Sequence, residues 1–133
     1  MPGATARISG EAQYFLQKES LIRSTREYSQ CYALGRRVHT RHFLLFVASA
    51  EVDGSGVRFG TAVSRKVGHA VVRNRIKRLL RECFRLSLKQ LPVSARVVAV
   101  AKRQAGTESL VLSDVVSEIT QALRLHFRLR AEK

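Results

Sequence analysis

The stretch Ala95-Arg96-Val97-Val98-Ala99-Val100-Ala101 constrains the fold more than any other part of this 133-residue chain. It is a nearly continuous run of small and β-branched apolar residues, broken only by Arg96. Such a strand is usually buried on both faces, as in a parallel pair. The segment before it has another period. Val72, Ile76, Leu79, Leu80, Cys83, Phe84 and Leu88 recur at helical spacing until Pro92 ends the segment. Val57 to Lys66 reads as a strand. Strand, long helix and buried strand make a βαβ unit.

The length points to one domain. Residues 1–18 are polar and weakly patterned and read as a flexible N-terminal extension; residues 19–133 form the domain. A short helix is expected from Ser24 to Leu34, stopped by Gly35. A basic loop follows, with Arg36, Arg37, His39, Arg41 and His42. Phe43 to Ala50 reads as a strand, and Asp53-Gly54 within the turn 52–56 is a hairpin signal to the strand at Val57. In that strand Val57, Phe59, Thr61 and Val63 share a bulky face. Arg58, Gly60, Ala62, Ser64 and Lys66 share the other, small in its middle, which leaves room for a close approach to the sheet. The last helix is expected from about Ser113, as N-cap, to about Leu129, with Leu112, Val115, Val116, Ile119, Leu123 and Phe127 as its apolar stripe. The sequence begins without a secretory apolar segment, and no apolar run approaches the ~20 residues of a membrane span. Cys31 and Cys83 have apolar neighbours and read as reduced core thiols.

Charge narrows the function. Lys and Arg number 24 against 10 Asp and Glu, a formal net charge of +14. Self-repulsion on that scale calls for a polyanion, most commonly nucleic acid. Protein-borne catalysis finds little support. His39, His42, His69 and His126 have no metal-ligand spacing with the cysteines. No phosphate loop or dinucleotide fingerprint opens a helix. Glu51 and Asp53 flank a turn, and Asp114 and Glu118 fit the N-terminal dipole of their helix. No catalytic and no metal-binding residue is therefore assigned.

The segment from Arg65 to Arg85 is different. It carries Arg65, Lys66, Arg73, Arg75, Lys77, Arg78, Arg81 and Arg85, with Asn74 among them and Glu82 as its one acid. Arg73 and Arg75 stand near the start of the helix, where cations oppose the macrodipole by ~0.3–1 kcal/mol each. A bound phosphate would reverse that cost by pairing with the guanidiniums and the free helix N–H groups. Tyr28 and Tyr32 share a helix face, and Phe46 lies on the opposite strand face from Phe43, Leu45 and Val47. Aromatics beside cations suit single-stranded nucleic acid. Core packing is the competing reading, favoured for Phe46 and open for the tyrosines.

Ser64-Arg65-Lys66-Val67-Gly68, then Ala70-Val71-Val72-Arg73-Asn74-Arg75-Ile76-Lys77-Arg78, Arg81-Glu82 and Phe84-Arg85 resemble the signature of the bacterial ribonuclease P protein family. The resemblance runs from about Leu21 to Leu129. It takes in Arg26-Glu27-Tyr28, Gly35-Arg36, Arg58-Phe59-Gly60 and Val97 to Ala101. It implies an α+β two-layer sandwich with a four-stranded sheet, packed helices and a left-handed βαβ crossover, against the usual rule. It implies that Arg73, Asn74, Arg75, Lys77, Arg78, Arg81 and Arg85 bind the catalytic RNA subunit. Tyr28, Tyr32, Phe46, Ser64, Arg65 and Lys66 would line a cleft for the 5′ leader of precursor tRNA. Removal of that leader would be carried out by the RNA with its magnesium ions, in the cytoplasm, with the protein needing no cofactor and being monomeric when free. Three positions depart from the pattern. Tyr28 stands where Phe is usual, Arg65 where Lys is frequent, and Arg96 where an acid is often found. The alternative is a structural ribosomal protein or another basic nucleic-acid-binding protein.

Overall fold

Ala95–Ala101 forms the strand that its composition calls for, and it takes an interior place in the sheet. The computed structural model describes residues 21–49 and 56–128. Their elements are α1 (Thr25–Leu34), β1 (Arg36–His39), β2 (Phe43–Ser49), β3 (Val57–Ala62), α2 (Ala70–Leu86), β4 (Ala95–Ala101), α3 (Arg103–Thr107) and α4 (Leu112–His126), with a 3-10 turn at Leu88–Gln90. The expected extension over residues 1–18 and most of the turn after β2 lie outside the described residues.

The architecture is α+β around one four-stranded sheet of order β1-β2-β4-β3. β4 runs parallel to β3, to which α2 connects it, and antiparallel to β2. The expected β2–β3 hairpin is therefore corrected: β4 inserts between the two strands. Ala95, Val97, Val98, Ala99 and Ala101 are all buried there, so the most apolar strand gains a neighbour on each side. The basic loop is also corrected in part. Arg36–His39 is an edge strand paired with β2, of whose residues only Val38 is partly buried.

The two sheet faces have separate cores. On one, Phe43, Leu45, Val47, Phe59, Val97 and Ala99 pack with Ile76, Leu80, Cys83 and Phe84 of α2 and Val115, Ile119 and Leu123 of α4. Phe59 and Phe84 stack there with ring centroids 5.1 Å apart. On the other, Phe46 and Val98 pack with Ile22 and Cys31, against which Tyr28 lies partly buried. Cys31 and Cys83 are thus free thiols on opposite faces. Burial raises both, Cys83 to about 12. Ser24 caps α1 by accepting from the Glu27 N–H at 3.1 Å. Val111, without a side-chain bond, stands at the cap of α4 where Ser113 was expected.

Phe84→Ala is expected to destabilise the fold by about 3–5 kcal/mol, since it removes a fully buried ring and leaves a cavity. Urea denaturation checks this. A loss near 1 kcal/mol would show that the stacked pair is not central to the core.

Candidate nucleic-acid interface

The cleft begins with a glycine. Gly60 in β3 points to the α1 side of the sheet, and a Cβ added there would lie 2.8 Å from the Tyr28 hydroxyl oxygen. The Tyr28 phenol donates to the Thr61 carbonyl and accepts from the Thr61 N–H, both at 3.2 Å. These groups belong to the outer edge of β3, where Leu21 also forms a parallel bridge with Phe59 and the Ile22 N–H donates to the Phe59 carbonyl at 2.8 Å. The room that the small residues of β3 promised is therefore filled by the protein's own tyrosine.

Phe46, Val98 and Gly60 are register partners across β2, β4 and β3, and Arg37 joins them from β1. Tyr32 meets Phe46 edge-on at 4.9 Å, and the Arg37 guanidinium lies 5.6 Å from the Phe46 ring centroid. Phe46 is 8% exposed and Tyr32 39%. Tyr32 is thus the aromatic open to solvent, whereas Phe46 supports it from below. The next row on this face is His39, Leu44, Val100 and Ala62. Leu44, Val100 and Ala62 are only partly buried. They form a half-open floor beside α1.

Ser64, Arg65 and Lys66 follow β3 in an exposed turn closed by the Val67 N–H to the Ser64 carbonyl at 3.1 Å. α3 braces this turn. A Cβ on Gly106 would meet the Val67 carbonyl oxygen at 1.9 Å, so only glycine permits the approach. Beside β3, a recess of about 140 Å³ is lined by Leu21, Ile22, Arg23, Tyr28, Phe59, Gly60, Thr61 and Arg81. Arg81 comes from α2. The cleft and the basic helix therefore adjoin.

Asn74, Arg78, Arg81 and Arg85 fall at successive helical turns of α2, forming one stripe with Lys77 beside it. Asn74, Arg78 and Arg81 are exposed; Arg85 pairs with Glu82 at 2.6 Å. His69 stands at the N-cap without a side-chain bond, and the first turn holds no acid. Arg73 donates to the Gly68 carbonyl at 3.1 Å, and Arg75 to the Leu110 carbonyl. Both arginine heads are thus anchored on carbonyls beside an uncapped, electropositive helix start.

The profile of the Ribonuclease P family matches residues 16–126. The chain belongs to the ribonuclease P protein family. A ribonuclease P protein component from Desulfovibrio desulfuricans is 50% identical over 112 residues, 84% of this chain and 86% of that protein. One from Syntrophus aciditrophicus is 41% identical over 104 residues, 78% of this chain and 84% of that protein. The Staphylococcus aureus RNase P protein superposes with a TM-score of 0.68 at 26% identity, covering 80% of this chain and 94% of that one. The Thermotoga maritima RNase P protein shares the fold, with a TM-score of 0.67 and 24% identity over 83% of this chain and 97% of that one. As a member of this family, the chain counts as a subunit of an endoribonuclease complex, not a ribosomal protein.

A polar cluster that sequence spacing did not reveal lies elsewhere on the ribonuclease P fold. His42, counted as part of a basic loop, is 6% exposed. Its Nδ1 lies 2.7 Å from Glu118 and its Nε2 2.6 Å from Glu108. Arg41 donates twice to Glu108, and Thr40 donates to Glu118. Burial opposes protonation of His42, but the two carboxylates outweigh it and raise its pKa above 6.5. Hydrogen bonds from Arg41 and then His42 lower Glu108. Burial favours the neutral form of Glu118, but bonds from Thr40 and His42 outweigh it, so its pKa is lowered too. Among the described residues no group of three His, Cys, Asp or Glu side chains is arranged to hold a metal ion, and no helix is long and apolar enough to cross a membrane.

Two outcomes follow from these contacts. Tyr28→Phe keeps the ring over Gly60 but strips the Thr61 edge groups of their partner, and is expected to cost about 0.5–1.5 kcal/mol in urea melts; an unchanged midpoint would show that water replaces the phenol. The His42 contribution is full below 6.5 and is lost as pH rises through its raised pKa. Those of Glu108 and Glu118 are full above 4.5 and lost as pH falls through their lowered values. The wild-type melting temperature is therefore expected to fall more steeply above pH 6.5 than that of His42→Gln. Parallel curves for the two proteins would contradict the protonated bridge.

Proposed function

We propose that this protein binds the catalytic RNA of ribonuclease P through α2 and holds the 5′ leader of precursor tRNA beside α1. In this reading Arg73, Asn74, Arg75, Lys77, Arg78, Arg81 and Arg85 meet RNA-subunit phosphates. The leader runs past Tyr32 over Leu44, Val100 and Ala62 toward Ser64, Arg65 and Lys66. Tyr28 and Phe46 act from beneath, as supports. The observation that carries the proposal is the half-open apolar floor, with an exposed tyrosine on one side and the cationic turn and stripe nearby. That combination suits unstacked bases on a charged strand.

The hydrolysis belongs to the RNA with its magnesium ions. The protein's acid–base cluster, buried His42 with partly exposed Glu108 and partly buried Glu118, is engaged in mutual hydrogen bonds and has no role in cleavage. The protein contributes affinity and discrimination. Mature tRNA lacks the leader, so contacts in the cleft favour precursor over product, which raises specificity at low substrate concentration.

Reconstitution with a bacterial ribonuclease P RNA tests this. The protein alone is expected to leave precursor tRNA intact, and to stimulate leader removal when the RNA is present. Tyr32→Ala is expected to weaken precursor binding about tenfold, or ~1.4 kcal/mol, within the range for one stacked base. Mature tRNA binding is expected to stay within twofold. Equal losses for both tRNAs would show that Tyr32 serves the fold and would remove the leader from this cleft.

A further inference from the structure

Arg58 and Arg96 are direct register partners across β3 and β4, on the α1 side of the sheet. Like charges placed opposite one another destabilise a sheet unless a counter-charge offsets them. Glu27 supplies one, and mostly to Arg58. Arg58 donates to Glu27 through both terminal nitrogens and to the Leu21 carbonyl at 2.9 Å. Arg96 receives less. Its Nε lies 3.7 Å from Glu27 Oε2, beyond hydrogen-bond reach, and that nitrogen is buried without a hydrogen-bond partner. Yet the Arg96 side chain is 36% exposed, so the guanidinium still meets solvent. Two guanidiniums share one carboxylate, and the excess positive charge sits on the arginine with unused donors.

The position is informative. Glu27 immediately precedes Tyr28, and Leu21, held by Arg58, also lines the recess that contains Arg81. Arg96 lies two residues, about 6.6 Å, along β4 from Val98 in the cleft row. Its neighbour on β2 is Ala48, whose small side chain leaves space beside the guanidinium. The cluster therefore borders the proposed leader cleft beyond α1, on the side away from Leu44, Val100 and Ala62.

We infer that Arg96, held beside Arg58 and Glu27, is a phosphate-binding site for RNA. This rests on the reading of the chain as an RNA-binding subunit. A phosphodiester supplies the missing negative charge and acceptors for the guanidinium donors, for which arginine's planar fork is suited. The phosphate comes either from the 5′ leader or from the RNA subunit, and the variants separate the two.

Arg96→Gln removes the charge and keeps a polar side chain. The holoenzyme carrying it is expected to bind precursor tRNA with a long leader about three- to tenfold more weakly, with a log–log salt slope shallower by about 0.7. If the leader supplies the phosphate, a precursor with a leader of only a few nucleotides and the bare RNA subunit bind as before. If the RNA subunit supplies it, the same loss appears in RNA-subunit binding whatever the leader length. Arg96→Glu is expected to deepen whichever loss occurs. The free Arg96→Gln protein is expected to melt at the wild-type temperature or above, because a like-charge contact has gone. Unchanged affinities and slopes, in a preparation whose wild-type holoenzyme still prefers precursor to mature tRNA, would overturn this site and leave the subunit reading intact. A lower melting temperature with uniform losses would show that Arg96 serves the fold instead.

Discussion

A glycine in an edge strand determines where the first helix sits. With no side chain at Gly60, the Tyr28 ring comes down onto β3 and its phenol satisfies both edge groups of Thr61. That contact places Cys31 over Phe46 and Val98, and Glu27 beside Arg58 and Arg96. α1 then covers part of the sheet face and leaves the Leu44–Val100–Ala62 row half open. Had the ring stood farther out, no bounded cleft would remain. Because the Tyr28 phenol bonds both the N–H and the carbonyl of Thr61, that ring is held against the sheet, and Tyr32 is the tyrosine left exposed.

Charge is arranged on the same principle. Glu27, Glu82, Glu108 and Glu118 are each engaged with cationic side chains of the chain itself. They hold α1 to the sheet, brace α2 and pin α4 to the β1–β2 turn. Among the described residues, Asn74, Arg78 and Arg81 of the α2 stripe and the Ser64–Lys66 turn stand exposed, and Arg96 shares its one carboxylate with Arg58. In the proposed reading a polyanion completes these surfaces, and for a member of the ribonuclease P protein family that polyanion is RNA. The net charge of +14 is thus a property of the unbound subunit more than of the assembly.

Parts of this were legible in the chain because their physics is local. The apolar residues of α2 recur every three or four positions, and β4 is apolar on both faces, so both elements stand where the pattern puts them. The alternation in β3 correctly separated Phe59 from Gly60. Non-local features were not legible. Asp53-Gly54 suggested a hairpin, yet burial of β4 on both edges decided the strand order. β1 has a single inward residue, Val38, too little for a pattern. His42 finds Glu108 and Glu118 only after the sheet and α4 have assembled, and no spacing announces a contact across more than sixty residues. Tyr28 and Tyr32 share a helix face, but which one is free depends on the glycine opposite.

The central claim is that RNA lies on the half-open face beside α1. Photo-crosslinking from a leader carrying a single photoreactive nucleotide, in holoenzyme reconstituted with a bacterial ribonuclease P RNA, tests it most directly. The account predicts crosslinked peptides containing Tyr32, Val100 or the Ser64–Lys66 turn, lost when unlabelled precursor competes and retained when mature tRNA does. Crosslinks confined to α4, or to no part of this protein, would contradict it.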